Sequence, residues 1–523
     1  MPFAVLIDTV SIQDYIFSSN KLKENIGASY IIENLLYREL IPVAISEIGL
    51  EAVFQIDSWK EAHDHYQLDK DQSVKVEVGF VGGGNALLLF KEDQPAKDFI
   101  KTFSRLVLQY FPGVRTAYAI GDLPYDDESF PGKRRQLYAD LAQNKSRFIP
   151  QTTPFKHGIV EDCPLSNEGH EDDFDAYNKG ISKASFTKLG AEQNATQSLE
   201  DHFQEELKGK YGFTAELDKL GQADDKGYVA IVHADGNNMG HRFQSCKNLG
   251  ELRKLSQAVG ALAEQTMKKL IAKVVELCEK SEVVKDIGLQ LVHEQGKTFL
   301  PIRPVLSGGD DITFVCEGKL GIFLAEKLVE FMLQSAREQE AFSGEHDSFS
   351  ACVGVAIVHT KYPFYRAYSL AEELIKEAKN ASRKANDSWL SYMISTDGFS
   401  GELEDVIRHQ YTHPNGKWVL RMSPYKIDEA EDAPSLESLK KGIRSFHDHK
   451  RWPRNKQKAL RDILRKEQVA LDYFKAELAA RKLHLPAFGK KEYHESIWID
   501  GRTPYFDMVE LTDFYPEKLL QHG

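Results

Sequence analysis

At 523 residues the chain is too long for one hydrophobic core, and length alone favours about three or four packed units. Hydrophobic residues make up 42% and charged residues 28%, with no low-complexity tract and no apolar run long enough to cross a bilayer, which argues against a disordered chain and against a helical membrane protein. A net charge of −13 makes the chain as a whole repel polyanions, so long nucleic acid would be gripped only by a local basic surface or through a partner subunit, whereas a small nucleotide chelated to a metal stays compatible.

The opening, MPFAVLIDTVSIQDYIF, has no basic n-region followed by a small-residue cleavage site, so no signal peptide and a cytoplasmic location are expected. From there the chain runs from a strand ending in Asp8 (AVLIDT) through a long helical stretch to the glycine hairpin VEVGFVGGGNALLLF, a helix, the strand VRTAYAIG and a helix ending AQNKSR. Residues 151 to about 225 are polar, including EDCPLSNEGHEDDFD and AELDKLGQADDKG, and read as a connector with some helix. The first order of signals then returns: the strand YVAIVHADGNNMG, the hairpin RPVLSGGDDITFVCE, a helix, the strand FSACVGVAIVH and a helix ending EAKNASRK. Asp8 to Asn85 is 77 positions and Asp235 to Asp311 is 76, so first strand and hairpin keep their separation in both copies, the mark of an internal repeat.

Each copy reads strand, helix, strand, tight hairpin, strand, helix, strand, helix. That predicts an α+β chain with two ferredoxin-like palm domains of the GGDEF or polymerase-palm type, over residues 1–150 and 226–400. Glycine pairs between apolar runs mark the hairpins, and helices such as FLAEKLVEFML and YSLAEELIKEA show apolar residues at spacings of three and four. After about residue 400, charged helices such as LRDILRKEQVALDYFKAELAARK predict a C-terminal helical domain over 401–523. Five cysteines, far apart and without a CxxC pair, argue against a disulfide framework or a zinc ribbon.

Joining nucleotides requires a more acidic 3′-hydroxyl, a more electrophilic α-phosphate and a neutralised pyrophosphate, which two metal ions supply together. The protein must then bring several carboxylates to one spot on rigid elements. Asp235 at the end of one strand, with Asp310 and Asp311 at the tip of the neighbouring hairpin, form such a set for Mg²⁺ or Mn²⁺, together with a backbone carbonyl near Gly236. Gly308 and Gly309 allow the tight turn and leave room for a triphosphate, while Gly236, Asn237 and Asn238 could leave backbone N–H groups open to phosphate. Lys379 on the last palm helix can offer a point charge to the β and γ phosphates, with Arg383 one turn later. His233 and His293 read as satisfied histidines rather than ligands. The first copy has Gly82-Gly83-Gly84-Asn85 at its hairpin and cannot build the same site, so it reads as a structural wall of the nucleotide pocket. Residues 440–466 hold eleven Lys or Arg against two acids, with Lys450, Arg451 and Arg454 around Trp452; this is either an RNA or protein contact surface or a solvated helix face.

A degenerate palm paired with a GGDD palm resembles the large subunit of type III CRISPR effector complexes. The likeness rests on IQDYIFSSNKLKENIGASYIIENLL, HADGNNMG, SGGDD and AYSLAEELIKEAKNASRKAN, the last also similar to the closing helix of GGDEF-type cyclases, and spans about residues 1–400. The resemblance implies a nucleotidyltransferase that turns ATP into cyclic oligoadenylate-like second messengers in antiviral defence. In it Asp235, Asp310 and Asp311 hold the metal, Gly308 and Gly309 shape the phosphate turn, and Lys379 contacts the triphosphate; CRISPR effector subunits and guide or target RNA are the implied partners. Two departures stand out. The chain opens directly in the first palm strand, without the HD nuclease domain many members carry, and its HD dipeptides, His346-Asp347 and His447-Asp448, lie outside any such context, so DNA cleavage is not expected. Only Cys163 lies between the palms, where many members bind zinc. Two other readings stay open from the residues alone: a mononucleotide or dinucleotide cyclase of GGDEF type, and a non-catalytic nucleotide- or RNA-binding subunit of a ribonucleoprotein complex.

Overall fold

The computed structural model describes residues 1–522 except 52–53, 62, 148–159, 167, 171–172, 175–179, 223–226, 343–347, 384–385, 396–401, 429, 431–432 and 489–496. The expected division points near 150, 225 and 400, and the His346-Asp347 dipeptide, lie outside the described residues.

The first strand, β1 (Phe3–Thr9), is a continuous apolar run whose central residues Ala4 to Ile7 are at most 1% exposed, so both of its faces are covered. It leads into the helices α1 (Ile12–Phe17) and α2 (Leu22–Tyr30). Residues Ile31–Glu39 then widen to π-type hydrogen bonding. The hairpin strands β2 (Val76–Gly82) and β3 (Asn85–Phe90) follow, then α3 (Asp93–Tyr110), β4 (Thr116–Asp122) and α4 (Phe130–Ser146). Helix α3 buries Ala96, Phe99, Ile100, Phe103, Leu106 and Val107, the three-and-four spacing of a one-sided apolar stripe. The strand order is β2-β3-β1-β4, all antiparallel, which is the ferredoxin-like arrangement.

Between the two sheets the polar connector contains a 20-residue helix, α5 (Lys183–His202), started by the Ser182 side chain accepting from the Ser185 N–H. It lies against α2 so closely that a Cβ on Gly27 would stand 1.8 Å from the Lys188 carbonyl oxygen. The buried Lys188 ammonium donates to the Tyr15 carbonyl at 2.8 Å and sits 4.2 Å from the Tyr15 ring centre.

The second sheet begins with β5 (Tyr228–Gly236), followed by the long helix α6 (Leu249–Glu279), the hairpin β6 (Ile302–Gly308) and β7 (Asp311–Glu317), α7 (Gly321–Arg337), β8 (Ala351–His359), α8 (Phe364–Ser382) and β9 (Trp389–Ser395). Its order is β6-β7-β5-β8-β9-β10, where β10 is Tyr425–Lys426. The first four strands repeat the plan of the first sheet; β9 adds in parallel and β10 closes the edge.

Helix α6 carries a buried ionic contact between the two sheets. Arg253, 1% exposed, donates from Nη2 to Glu77 Oε1 and to the Val78 carbonyl, both at 2.6 Å, from Nε to the Gly79 carbonyl at 3.2 Å and from Nη1 to the His63 carbonyl at 3.1 Å. A guanidinium removed from water survives only when its donors are matched in this way.

The chain ends in the helices α9 (Leu436–His447), α10 (Arg454–Ile463), α11 (Gln468–Ala480) and α12 (Tyr505–Leu511). A buried polar network ties them to the second sheet. Arg421 forks onto Glu377 of α8 at 2.9 and 2.8 Å, and Asp507 of α12 accepts from the Met422 and Ser423 N–H groups and, at 2.5 Å, from the Tyr425 hydroxyl. In the basic stretch 440–466 most of the Lys and Arg side chains are exposed, but Trp452 and Lys440 are not. Trp452 is 1% exposed and packs edge-on against Phe446, so it is core rather than a stacking platform, and Lys440 is buried against Glu326 at 2.6 Å. Trp452 lies in the turn between α9 and α10, and its indole N–H donates to the His484 carbonyl at 3.2 Å; Lys450, Arg451 and Lys458 stay exposed. His447 of the second HD dipeptide is occupied by the Tyr515 carbonyl at 2.8 Å.

Two outcomes are expected. Arg253→Met leaves Glu77 buried without its cation and should cost about 3–5 kcal/mol in urea denaturation, while Arg253→Met with Glu77→Leu should recover most of the loss. Burial, followed by the negative charge of Asp507, pushes Glu510 up to about 8 from an ordinary 4.5. The folded chain therefore holds a proton that the unfolded chain releases, and stability should fall as pH rises from about 4.5 to about 8. Glu510→Gln, which can keep the Tyr411 hydrogen bond, should flatten that slope in thermal melts across the window.

Candidate active site

The central strand β5 is buried along its length and reaches the sheet's end at Asp235 and Gly236. Its neighbour β7 starts at Asp311, and Asp311 pairs directly with Asp235 across the antiparallel ladder, so both carboxylates leave the sheet on one face. Gly308 pairs with Asp311 to close a two-residue turn of Gly309 and Asp310, and Gly309 has φ +74, a backbone region glycine enters without strain. The Gly236 N–H donates to the Asp310 carbonyl at 3.2 Å, drawing the turn against the end of β5, where a Cβ on Gly236 would stand 3.1 Å from that of Asp310.

The first sheet carries the same scaffold with other chemistry. Asp8 pairs with Asn85, the Thr9 N–H donates to the Gly84 carbonyl at 3.0 Å, and Lys145 of α4 forms an ion pair with Asp8. In the second sheet Lys379 of α8 forms the matching ion pair with Asp235. Gly84 and Asn85 thus occupy the places of Asp310 and Asp311.

Burial, then the Asp235 charge, pushes Asp310 up to about 7. His233 has two oxygens near Nδ1: Thr313 Oγ1 at 2.9 Å, with hydrogen-bond geometry, and Asp311 Oδ1 at 3.2 Å. Asp311 Oδ1 is left buried without a hydrogen-bond partner. Burial alone would lower the His233 pKa, but the Asp311 and Asp235 carboxylates outweigh it and raise it. Among the described residues, no three His, Cys, Asp or Glu side chains stand close enough to enclose a metal ion. Lys379 is ion-paired with Asp235, and Asp311 Oδ1 lies beside the His233–Thr313 pair. The donor set nonetheless suits a hard divalent cation, being carboxylate oxygen throughout with one buried acceptor lacking a donor.

Two side chains that motif spacing did not point to also reach this end of the sheet. Gln13 of α1 donates to Asp311 Oδ2 at 3.4 Å, and Glu33 accepts from the Ser307 N–H at 3.2 Å. Both lie in the IQDYIF–IIENLL stretch, whose only signal in the sequence was its part in the family resemblance.

Residues 228–387 match the family model of the Cas10/Cmr2 second palm domain. No curated protein matches the chain. Among solved structures it is similar to Csm1 in T. onnurineus, with a TM-score of 0.55 and 15% identity over 98% of this chain and 70% of that one. It is also similar to a Csm1–Csm4 cassette in complex with one ATP (TM-score 0.54, 14% identity, 98% of this chain and 70% of that one). A cassette in complex with cA4 matches with a TM-score of 0.53 and 14% identity over 99% of this chain and 69% of that one. The fold of these Csm1 chains therefore extends over nearly the whole of this chain, and the palm family model matches its second sheet.

The loop after β5 differs from expectation. The Gly236 N–H is taken by Asp310 and the Asn237 N–H by the Ser350 carbonyl at 2.8 Å, so neither is open to phosphate. The Asn237 side chain is buried and donates to Ser350 Oγ at 2.8 Å and Ser382 Oγ at 3.1 Å, stitching the loop to β8 and α8, which leaves Asn238, at φ 59, as the exposed member. Arg383 follows the end of α8 and is exposed. Asn237→Ala is expected to lower stability by about 1–3 kcal/mol in chemical denaturation, because buried hydroxyls lose their donor.

Proposed function

We propose that the chain is a metal-dependent nucleotidyltransferase that joins ATP into cyclic oligoadenylate-type messengers, working as the large palm subunit of a type III CRISPR effector. The observation that carries this reading is the register pairing of Asp311 with Asp235, with Asp310 held over Gly236 at the same sheet end. Three like charges kept together raise the energy of the folded chain, and a scaffold has no use for them.

Asp235, Asp310 and Asp311 would hold Mg²⁺ or Mn²⁺, with the carbonyl near Gly236 as a further oxygen. Two such ions supply the acidified 3′-hydroxyl, the polarised α-phosphate and a neutralised leaving group. The chain's own residues do the rest. The bare backbone at Gly309, where a Cβ would meet only Val259, leaves room at the turn for the triphosphate, while Gly308 lies against Glu33. Lys379, already beside Asp235, turns its ammonium to the β and γ phosphates once the carboxylate has a cation of its own. Asp8 with Gly84 and Asn85 lacks the ligands for a second such centre, so the first palm supplies structure and a wall. By analogy with the Csm1–Csm4 cassettes, a Csm4-like subunit is a partner; guide and target RNA are the partners the family resemblance implies, and Lys450, Arg451 and Lys458 are among the exposed cations of the basic stretch that could meet them. The fold contains no helix, among the described residues, that is long and apolar enough to cross a membrane, in keeping with work in the cytoplasm.

The non-catalytic reading draws on one observation: among the described residues no three His, Cys, Asp or Glu side chains form a group that could hold a metal ion. Incubation with each NTP and Mg²⁺ or Mn²⁺, with and without partner subunits and RNA, followed by chromatography and mass analysis, separates the readings. ATP is expected to give adenylate oligomers and rings, and Asp310→Ala with Asp311→Ala to reduce them to background. Product from the double variant would show the site to be elsewhere.

A further inference from the structure

The first palm sends two polar side chains to a hairpin that is not its own. Gln13 donates from Nε2 to Asp311 Oδ2 at 3.4 Å across 298 positions of sequence. Glu33 takes the N–H of Ser307 at 3.2 Å. Strand β6 is the outermost of the second sheet, and an outer strand carries N–H groups with no strand partner on one side. A carboxylate from the other palm satisfies one of them, two residues before Gly309. A Cβ on Gly308 would stand 3.4 Å from Glu33 Oε1, so this side chain lies against the turn itself.

Independent packing holds both elements in place. Helix α1 is pinned by Phe17, which stacks on Tyr368 of α8 with ring centres 3.6 Å apart, and Tyr368 in turn meets the His233 ring edge-on at 5.6 Å. Glu33 belongs to the π-type segment Ile31–Glu39, a rare widening of the helix that is frequent at functional sites. The chemistry of Gln13 also differs from that of Lys379. An ammonium beside a carboxylate competes with a metal ion for the same oxygen, whereas a neutral amide donor fixes the carboxylate's rotamer and leaves its charge available.

We infer that Gln13 and Glu33 are positioning residues that clamp Asp311 and the Gly308–Asp310 turn for cation binding, so that the second palm's site is complete only with the first palm docked on it. This rests on Asp235, Asp310 and Asp311 being metal ligands. Hydrogen bonds to ligating carboxylates typically change metal affinity by about 10–100-fold.

The test is Mn²⁺ binding to the full chain, read by electron paramagnetic resonance of free Mn²⁺ without nucleotide or turnover, beside thermal melts of the same samples. Gln13→Ala and Glu33→Ala are expected to weaken Mn²⁺ binding about ten-fold. Glu33→Gln, whose amide oxygen still accepts from Ser307, should bind as the unmodified chain does. Gln13 is half-buried on a helix surface, so Gln13→Ala should melt at the unmodified temperature and carries the test alone if Glu33→Ala unfolds. Unchanged affinity in Gln13→Ala, or Glu33→Gln binding as weakly as a folded Glu33→Ala, overturns the inference and leaves the metal site standing. Mn²⁺ binding that survives Asp310→Ala with Asp311→Ala, or no binding by the unmodified chain, overturns the underlying reading and the inference with it.

Discussion

The arrangement of this molecule depends on one buried cation. Arg253 leaves helix α6 of the second palm and spends its donors on Glu77 and on carbonyls of the first, with both charged groups almost wholly out of water. In a low-dielectric interior an unmatched guanidinium is far costlier than a matched one, so the two sheets have a preferred relation rather than a loose one. Lys188 and Gly27 act similarly on the connector helix: a buried ammonium over Tyr15 and a backbone contact too close for any side chain. With these in place the first palm's α1 and π-type segment come to rest against the second palm's hairpin.

That placement gives the site its composite character. The second palm supplies the carboxylates and the glycine turn, and the first supplies an amide, a carboxylate and an aromatic stack that bear on them. Without a cation the cluster relieves its own repulsion by local means. Lys379 pairs with Asp235, Asp310 is pushed towards neutrality by burial and by Asp235, and Asp311 lies beside a histidine whose pKa the carboxylates raise.

The near-equality of the Asp8–Asn85 and Asp235–Asp311 separations becomes, in three dimensions, the same ladder pairing, the same hydrogen bond from the residue after the aspartate to the turn, and the same lysine returning from the last helix. Two residues separate the copies chemically. Gly84 and Asn85 hold the geometry of Asp310 and Asp311 without their charge, which is why one palm can serve as support for the other.

The sequence by itself determined the two palms, the strand-end aspartate, the turn and the lysine, because each follows from local rules: continuous apolar runs, glycine at a positive-φ turn and a repeat at constant separation. It also pointed to Asn237 as a phosphate-facing residue and to Trp452 as a surface aromatic, and both proved to be interior. Local patterning cannot tell a polar loop that faces solvent from one stitched to Ser350 and Ser382, nor an exposed helix face from one buried by a neighbouring helix. Only the tertiary structure decided that Arg253 reaches Glu77, that Gln13 and Glu33 meet the second hairpin, and that Lys379 sits on Asp235. Those contacts join residues more than a hundred positions apart, and packing between elements, rather than the pattern within any one of them, selects which side chains meet.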